Sequence, residues 1–240
     1  MNGSILRLGL RSLFGRARVW LMVAMPVIMI VLAGVIRAAS EGTMDDAHAE
    51  SFLRVFGVGI VVPVVALVAT TTLINSEFDD GSIIYLLTKP ISRLTIIGSK
   101  AAVVLGAGLV FAAAPMLLAG FVLIGGSSRV AVAALVGGAV STVAYVGIFT
   151  ALATTMKRSI IGCLLFWLLW ESTLSSLLSP VKWLSARAWG TAVIQHLASA
   201  PGDGKPAVPL LYAVLGAVIA FIAGIALAGQ RLASMTISEE

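Results

Sequence analysis

Apolar residues fall into six long blocks along this chain, and charged residues collect between them. The blocks run over 19–38, 52–74, 97–125, 130–156, 159–178 and 208–229. A bilayer core about 30 Å thick is crossed by roughly 20 apolar residues in helical form. Each block reaches that length, and a helix satisfies its own backbone polar groups where lipid offers no partner. The pattern therefore predicts an all-α, polytopic membrane protein. It has six transmembrane helices in a single transmembrane domain spanning 1–240.

Two flanking stretches have their own patterns. In residues 4–18, Arg7, Arg11 and Arg18 share one helical face, and Leu6, Leu10 and Leu13 share a neighbouring one. That periodicity predicts an amphipathic helix on the inner leaflet, its cations towards anionic lipid. The stretch 179–206 is too short and too polar for a clean span. It carries Trp183, Trp189, Lys182 and Arg187 between Pro180 and Pro201. Tryptophan and long cations suit the headgroup level, so one or two short helices are expected at the outer interface between spans five and six. Where buried in protein, part of this stretch can re-enter the membrane.

Composition agrees with the pattern. Of the 240 residues, 59% are apolar and 11% charged, and mean hydropathy is +1.05. Soluble domains carry about 25% charged residues, and a soluble fold of this length lacks the volume to hide so much apolar surface. The net charge of +5 would raise nucleic acid as a partner of a soluble protein. Here the cations sit between the apolar blocks, so they set orientation, and no nucleic-acid partner is expected. Ten of the 16 Lys and Arg fall on the side that holds both termini. The richer side is cytoplasmic, which puts both termini inside the cell inner (plasma) membrane. The first external loop, read as 41–50, holds Asp45 and Asp46. The one cysteine, Cys163, has no internal partner for a disulfide.

Within the spans, one residue stands out. Glu171 follows Trp167 and Trp170 in span five, about 18 Å from the inner end at 1.5 Å per residue. A carboxyl group at that depth is costly and faces the bundle interior or water. It is a candidate for lining a substrate path, binding a cationic cargo or holding a dimer contact, or it is a protonated carboxyl hydrogen-bonded to a neighbouring helix. Gly216, Ala220, Gly224 and Ala228 recur every four residues in span six, a small-residue stripe that favours close packing, within the subunit more often than between subunits. Pro26, Pro63 and Pro115 lie inside spans one to three, where they free backbone carbonyls and permit kinks. Thr70, Thr71 and Thr72 are expected to bond back to their own helix.

The longest inner connection, Asn75 to Lys100, mixes acids, Gly81, the apolar run from Ile83 to Leu87, then Pro90 and Arg93. A merely solvated loop has no use for that apolar run. Gly81 relaxes the chain before it and Pro90 ends it. The run is either a short helix offered to another protein or a segment packed beneath the chain's own spans. The pattern Glu77-x3-Gly81-x4-Leu86-Leu87-x2-Pro90-x-Ser92-Arg93-x6-Lys100 resembles the cytoplasmic loop of ABC-2 type permeases, the membrane subunits of a class of ATP-binding-cassette exporters. The resemblance extends to the six spans, the basic amphipathic helix before them and the outer segment between the last two. It implies that 77–93 forms a cytoplasmic coupling helix seated on an ATPase subunit. Glu77, Gly81, Leu86, Leu87, Pro90 and Arg93 would mark the contact, with Lys100 at the mouth of span three.

The chain offers no ATP site of its own. Its nearest approach to a phosphate loop is Gly204-Lys205, which Pro206 follows in an external loop without the strand and helix such a loop requires. His48 and His196 lie far apart, outside any metal-ligand spacing. No Gly-x-Ser-x-Gly elbow is present, and Asp79 and Asp80 read as a solvated turn before Gly81. The expected function is thus that of a non-enzymatic permease subunit, working as a homodimer. ATP and Mg would be bound and hydrolysed on a separate ATPase, and this chain would hold no cofactor. A membrane scaffold that recruits an ATPase or enzyme without a transport path is the alternative.

Overall fold

The computed structural model describes residues 19–40, 45–75, 93–125, 129–156, 158–198 and 206–234. The amphipathic helix expected at 4–18 and the loop residues Glu77, Gly81, Leu86, Leu87 and Pro90 lie outside them, and Arg93 begins a helix. Every element among the described residues is helical. In chain order they are α1 (Val19–Ala39), α2 (Asp46–Ile74), α3 (Leu94–Ile124), α4 (Arg129–Thr155), α5 (Ser159–Leu174), α6 (Ala186–Ala198) and α7 (Leu210–Ser234). A 3-10 turn, Ser179–Leu184, precedes α6.

Five of these, α1 to α4 and α7, are long and apolar enough to cross a membrane. The expected span at 159–178 is instead a shorter apolar helix, α5, which continues unevenly through Ser175–Leu177. Most boundaries lie within a few residues of the hydropathy blocks. The exception is α2, which starts at Asp46 and not near Phe52, so the external loop is shorter than expected. Asp45 has extended backbone angles. Asp46 brings negative charge to the first turn, where the helix dipole favours it. Glu50 then pairs with Arg54 one turn on, at 3.1 Å. These acids extend the helix beyond its apolar block, which hydropathy alone does not register.

The helices alternate between two ends of a bundle. The near end holds the start of α1, and the far end holds its finish. α4 is the central post, packed against α2, α3, α5, α6 and α7. Small residues allow this crowding, as expected where lipid gives no hydrophobic drive to association. On α7, a Cβ added to Gly224 would lie 2.5 Å from the carbonyl carbon of Gly147 on α4 and 2.8 Å from its Cα. Gly216 faces the Trp189 ring, and Ala217 and Ala228 are buried. The Gly/Ala stripe therefore packs within the subunit.

At the far end, α1 is fastened to the finish of α3. Arg37 Nη1 donates to Val122 O at 3.0 Å and to Leu123 O at 3.5 Å, supplying donors to carbonyls the helix end leaves open. Gly125 ends α3 at φ 77°, and a Cβ there would also meet the Arg37 guanidinium. Both constraints call for glycine.

Two of the intramembrane prolines have visible consequences. Wide π-type turns run over Leu53–Val61 in α2 and Leu109–Ala113 in α3, directly before Pro63 and Pro115. Pro63 has no N–H to offer the carbonyl four residues back, which is Gly59. That carbonyl accepts from Trp167 Nε1 on α5 at 3.1 Å instead. Of the three threonines, Thr71 bonds back to Leu67 O at 2.8 Å, while the buried hydroxyls of Thr70 and Thr72 make no hydrogen bond.

Candidate functional site

α6 does not lie flat across the far end of the bundle. It runs antiparallel along the first half of α4, as successive contacts show. Ala186 O accepts from Ser141 Oγ at 2.9 Å. Gly190 and Gly137 meet backbone to backbone, and Arg129 Nη2 donates to Leu197 O at 3.4 Å. Ser141 stands near the middle of the 27-residue α4. α6 therefore begins at mid-depth and climbs to the far end, as the re-entrant option requires. Its inner face, Ala186, Trp189, Ala192, Val193 and Ile194, is buried. The indole N–H groups of Trp170 and Trp189 secure the preceding turn, donating to Leu184 O and Trp183 O at 3.1 and 2.9 Å.

A helix that begins inside the bundle leaves its first N–H groups without intrahelical partners. Glu171 supplies acceptors for them. The side chain is fully buried, in a further π-type stretch, Phe166–Leu174, of α5. Its Oε1 accepts from Ala186 N at 2.9 Å, and its Oε2 accepts from Arg187 N at 3.2 Å and from Ser185 Oγ at 2.5 Å. Ser185 in turn accepts from Ala188 N at 3.1 Å, as an N-cap serine does. Negative charge at this point also meets the positive end of the helix dipole. Tyr145, fully buried on α4, lies within electrostatic reach of the same carboxyl. The carboxyl is thus engaged as an acceptor by the start of a neighbouring helix.

Beside the α6 N-terminus, a cavity of about 380 Å³ opens between α2, the 3-10 turn and α6. Arg54, Lys182 and Arg187 line it together with Ser175, Thr191 and Gln195. Sequence reading treated Lys182 and Arg187 only as interfacial cations. Their convergence with Arg54 depends on α6 doubling back, which no local pattern announces. Ser185 was the one available signal, a cap residue placed directly before the helix it starts.

At the near end, α2 and α3 are tied where the segment 76–92 leaves and returns. Lys100 Nζ, almost fully buried, donates to Leu73 O at 3.3 Å. Of the residues expected to couple to an ATPase, only this neighbourhood and the start of α3 at Arg93 fall within the described structure.

Five helices long and apolar enough to cross a membrane, α4 at their centre, together with the shorter apolar α5, define a multi-pass membrane protein. A family profile described as ABC-2 family transporter protein matches residues 16–181. The match covers more than two thirds of the chain, and the protein belongs to the ABC-2 transporter family as a transmembrane permease. Permeases of this family generally work with a cytoplasmic ATPase subunit. None of the curated proteins compared matches the chain.

Proposed function

We propose that this chain is the permease subunit of an ABC-2 type exporter. It works as a homodimer with two separate ATPases and catalyses no reaction itself. ATP and Mg bind on the partner, and both termini face the cytoplasm with the ATPases. Family membership supports the transporter reading. The observation that carries the coupling role is the Lys100–Leu73 tie. The inserted segment 76–92 leaves and re-enters the bundle at two helix ends joined by a buried hydrogen bond. A push on that segment reaches α2 and α3 together, and both pack on the central α4. Movement of the ATPase pair would thereby bias the bundle between two arrangements and move cargo outwards along the interface between the two copies.

The test places a charge in the apolar run. Leu86→Glu or Leu87→Glu should abolish co-purification with the ATPase and leave the thermal melt of the spans unchanged. ATPase binding that persists in both variants would refute the coupling role of 77–93.

A further inference from the structure

The cationic cavity beside α6 plays no part in the coupling scheme above. Three chain segments contribute one cation each: Arg54 from α2, Lys182 from the 3-10 turn and Arg187 from the first turn of α6. No carboxylate lines the cavity. Arg54 is paired with Glu50 at 3.1 Å, yet its Nε is shut off from solvent and makes no hydrogen bond. Among the described residues, Lys182 and Arg187 make no salt bridge within 4.0 Å. The Arg187 guanidinium rests against Gly59, where a Cβ would come within 3.3 Å of Cζ. It is thus held against α2, and Glu171 fixes its backbone N–H at 3.2 Å.

The local charges do not cancel. Glu50 offsets Arg54, which leaves Lys182 and Arg187 with no carboxylate on the cavity walls. Ser175, Thr191 and Gln195 add uncharged polar groups to the walls. A partly buried excess cation is costly without a counter-charge. Arginine forks match phosphate oxygens, and basic pockets between membrane helices take phospholipid headgroups.

We propose that this cavity binds a singly charged phosphodiester group. A phosphodiester sets one negative charge between Lys182 and Arg187, and its ester arms can leave through the open side of the cavity. A phospholipid headgroup and a phosphodiester on a soluble molecule share this chemistry.

The full chain, purified in a nonionic detergent, is titrated by calorimetry with three probes: short-chain phosphatidylglycerol, soluble dimethyl phosphate, and short-chain phosphatidylcholine as the zwitterionic control. Saturable binding of phosphatidylglycerol alone supports a lipid site, and saturable binding of dimethyl phosphate supports a soluble source. In either case Arg187→Gln and Lys182→Gln should each weaken binding roughly tenfold, the loss of one charge-assisted contact. Arg158→Gln, a cation at the near end, should leave it unchanged. Thermal melts confirm that each variant is folded, and Lys182, half-exposed on the turn, keeps the test open should Arg187→Gln unfold. No saturable binding of either anion, equal affinity for phosphatidylcholine, or equal weakening by Arg158→Gln would each overturn the proposal.

Discussion

The crossing of α4 and α7 gives the sharpest test of the fold. Replacing Gly224 by alanine adds a methyl group 2.5 Å from the Gly147 carbonyl carbon, where ordinary contact begins at 3.4 Å. The obstacle is backbone on both sides, with the Gly147 carbonyl oxygen nearer still, so no side chain can rotate away and the helices must separate by at least about 0.9 Å. Overpacking of this kind costs about 1–3 kcal/mol, against which alanine regains up to ~1 kcal/mol of helix propensity. Because backbone cannot move aside, the cost falls in the upper part of that range, about 2–3 kcal/mol, and the net loss of about 1–2 kcal/mol corresponds to a melting temperature lower by roughly 2–8 °C for a chain of this size. The control is Gly106→Ala on α3, where a Cβ meets nothing within 4 Å. There only the propensity gain of up to ~1 kcal/mol remains, and Tm should rise by as much as about 4 °C. The assay is built into the chain. Its only cysteine, Cys163, is fully buried, so a thiol-reactive fluorogenic dye reports unfolding without added labels. The two alanines should shift Tm in opposite directions. An unchanged or raised Tm for Gly224→Ala would refute the backbone contact.

Two further outcomes follow from the hydrogen bonds inside the bundle. Glu171→Gln replaces one acceptor oxygen by an amide donor, which must face either the Ala186 N–H or the Ser185 hydroxyl and Arg187 N–H. It should cost about 2–4 kcal/mol and, by proteolysis or hydrogen exchange, expose α6 before the other helices; an unchanged melt would remove the capping role. Trp167→Phe leaves the Gly59 carbonyl without its donor and should cost about 1–3 kcal/mol. In a Pro63→Ala background, which restores an N–H four residues on, the same change should cost clearly less, and equal losses in both backgrounds would show that the proline does not create the need.

The sequence was most legible where one physical quantity dominates. Burial in lipid leaves little choice at α1, α3 and α4, and hydropathy located their ends closely. The small-residue stripe of α7 was legible for the same reason, because a repeat of four has one face. Glu171 was recognised as costly, but its partner could not be named, since Ser185 and the α6 N–H groups are local neighbours only after the chain turns back. α6 itself carries ambiguous signals. Trp183, Lys182 and Arg187 suit an interface, whereas Gly190 and the buried run Ala192–Ile194 suit close packing on α4. Tertiary contact decided between them. The basic cavity was invisible for a further reason, because Arg54 lies more than a hundred residues from its companions.

The mid-depth start of α6 also bears on how the protein is made. At 13 residues, the helix is about 20 Å long, shorter than the bilayer core. It carries Arg187, Gln195 and His196, and an arginine alone adds several kcal/mol to insertion. Such a segment does not partition into lipid by itself as it leaves the ribosome. It enters when α4 offers its glycine-lined groove and Glu171 waits to receive its first turn. α7, which closes over both α4 and α6, is synthesised afterwards. The far half of the bundle is therefore complete only once α7 has been made, and until then the place of α6 rests on its groove along α4 and on the acceptors Glu171 offers its first turn.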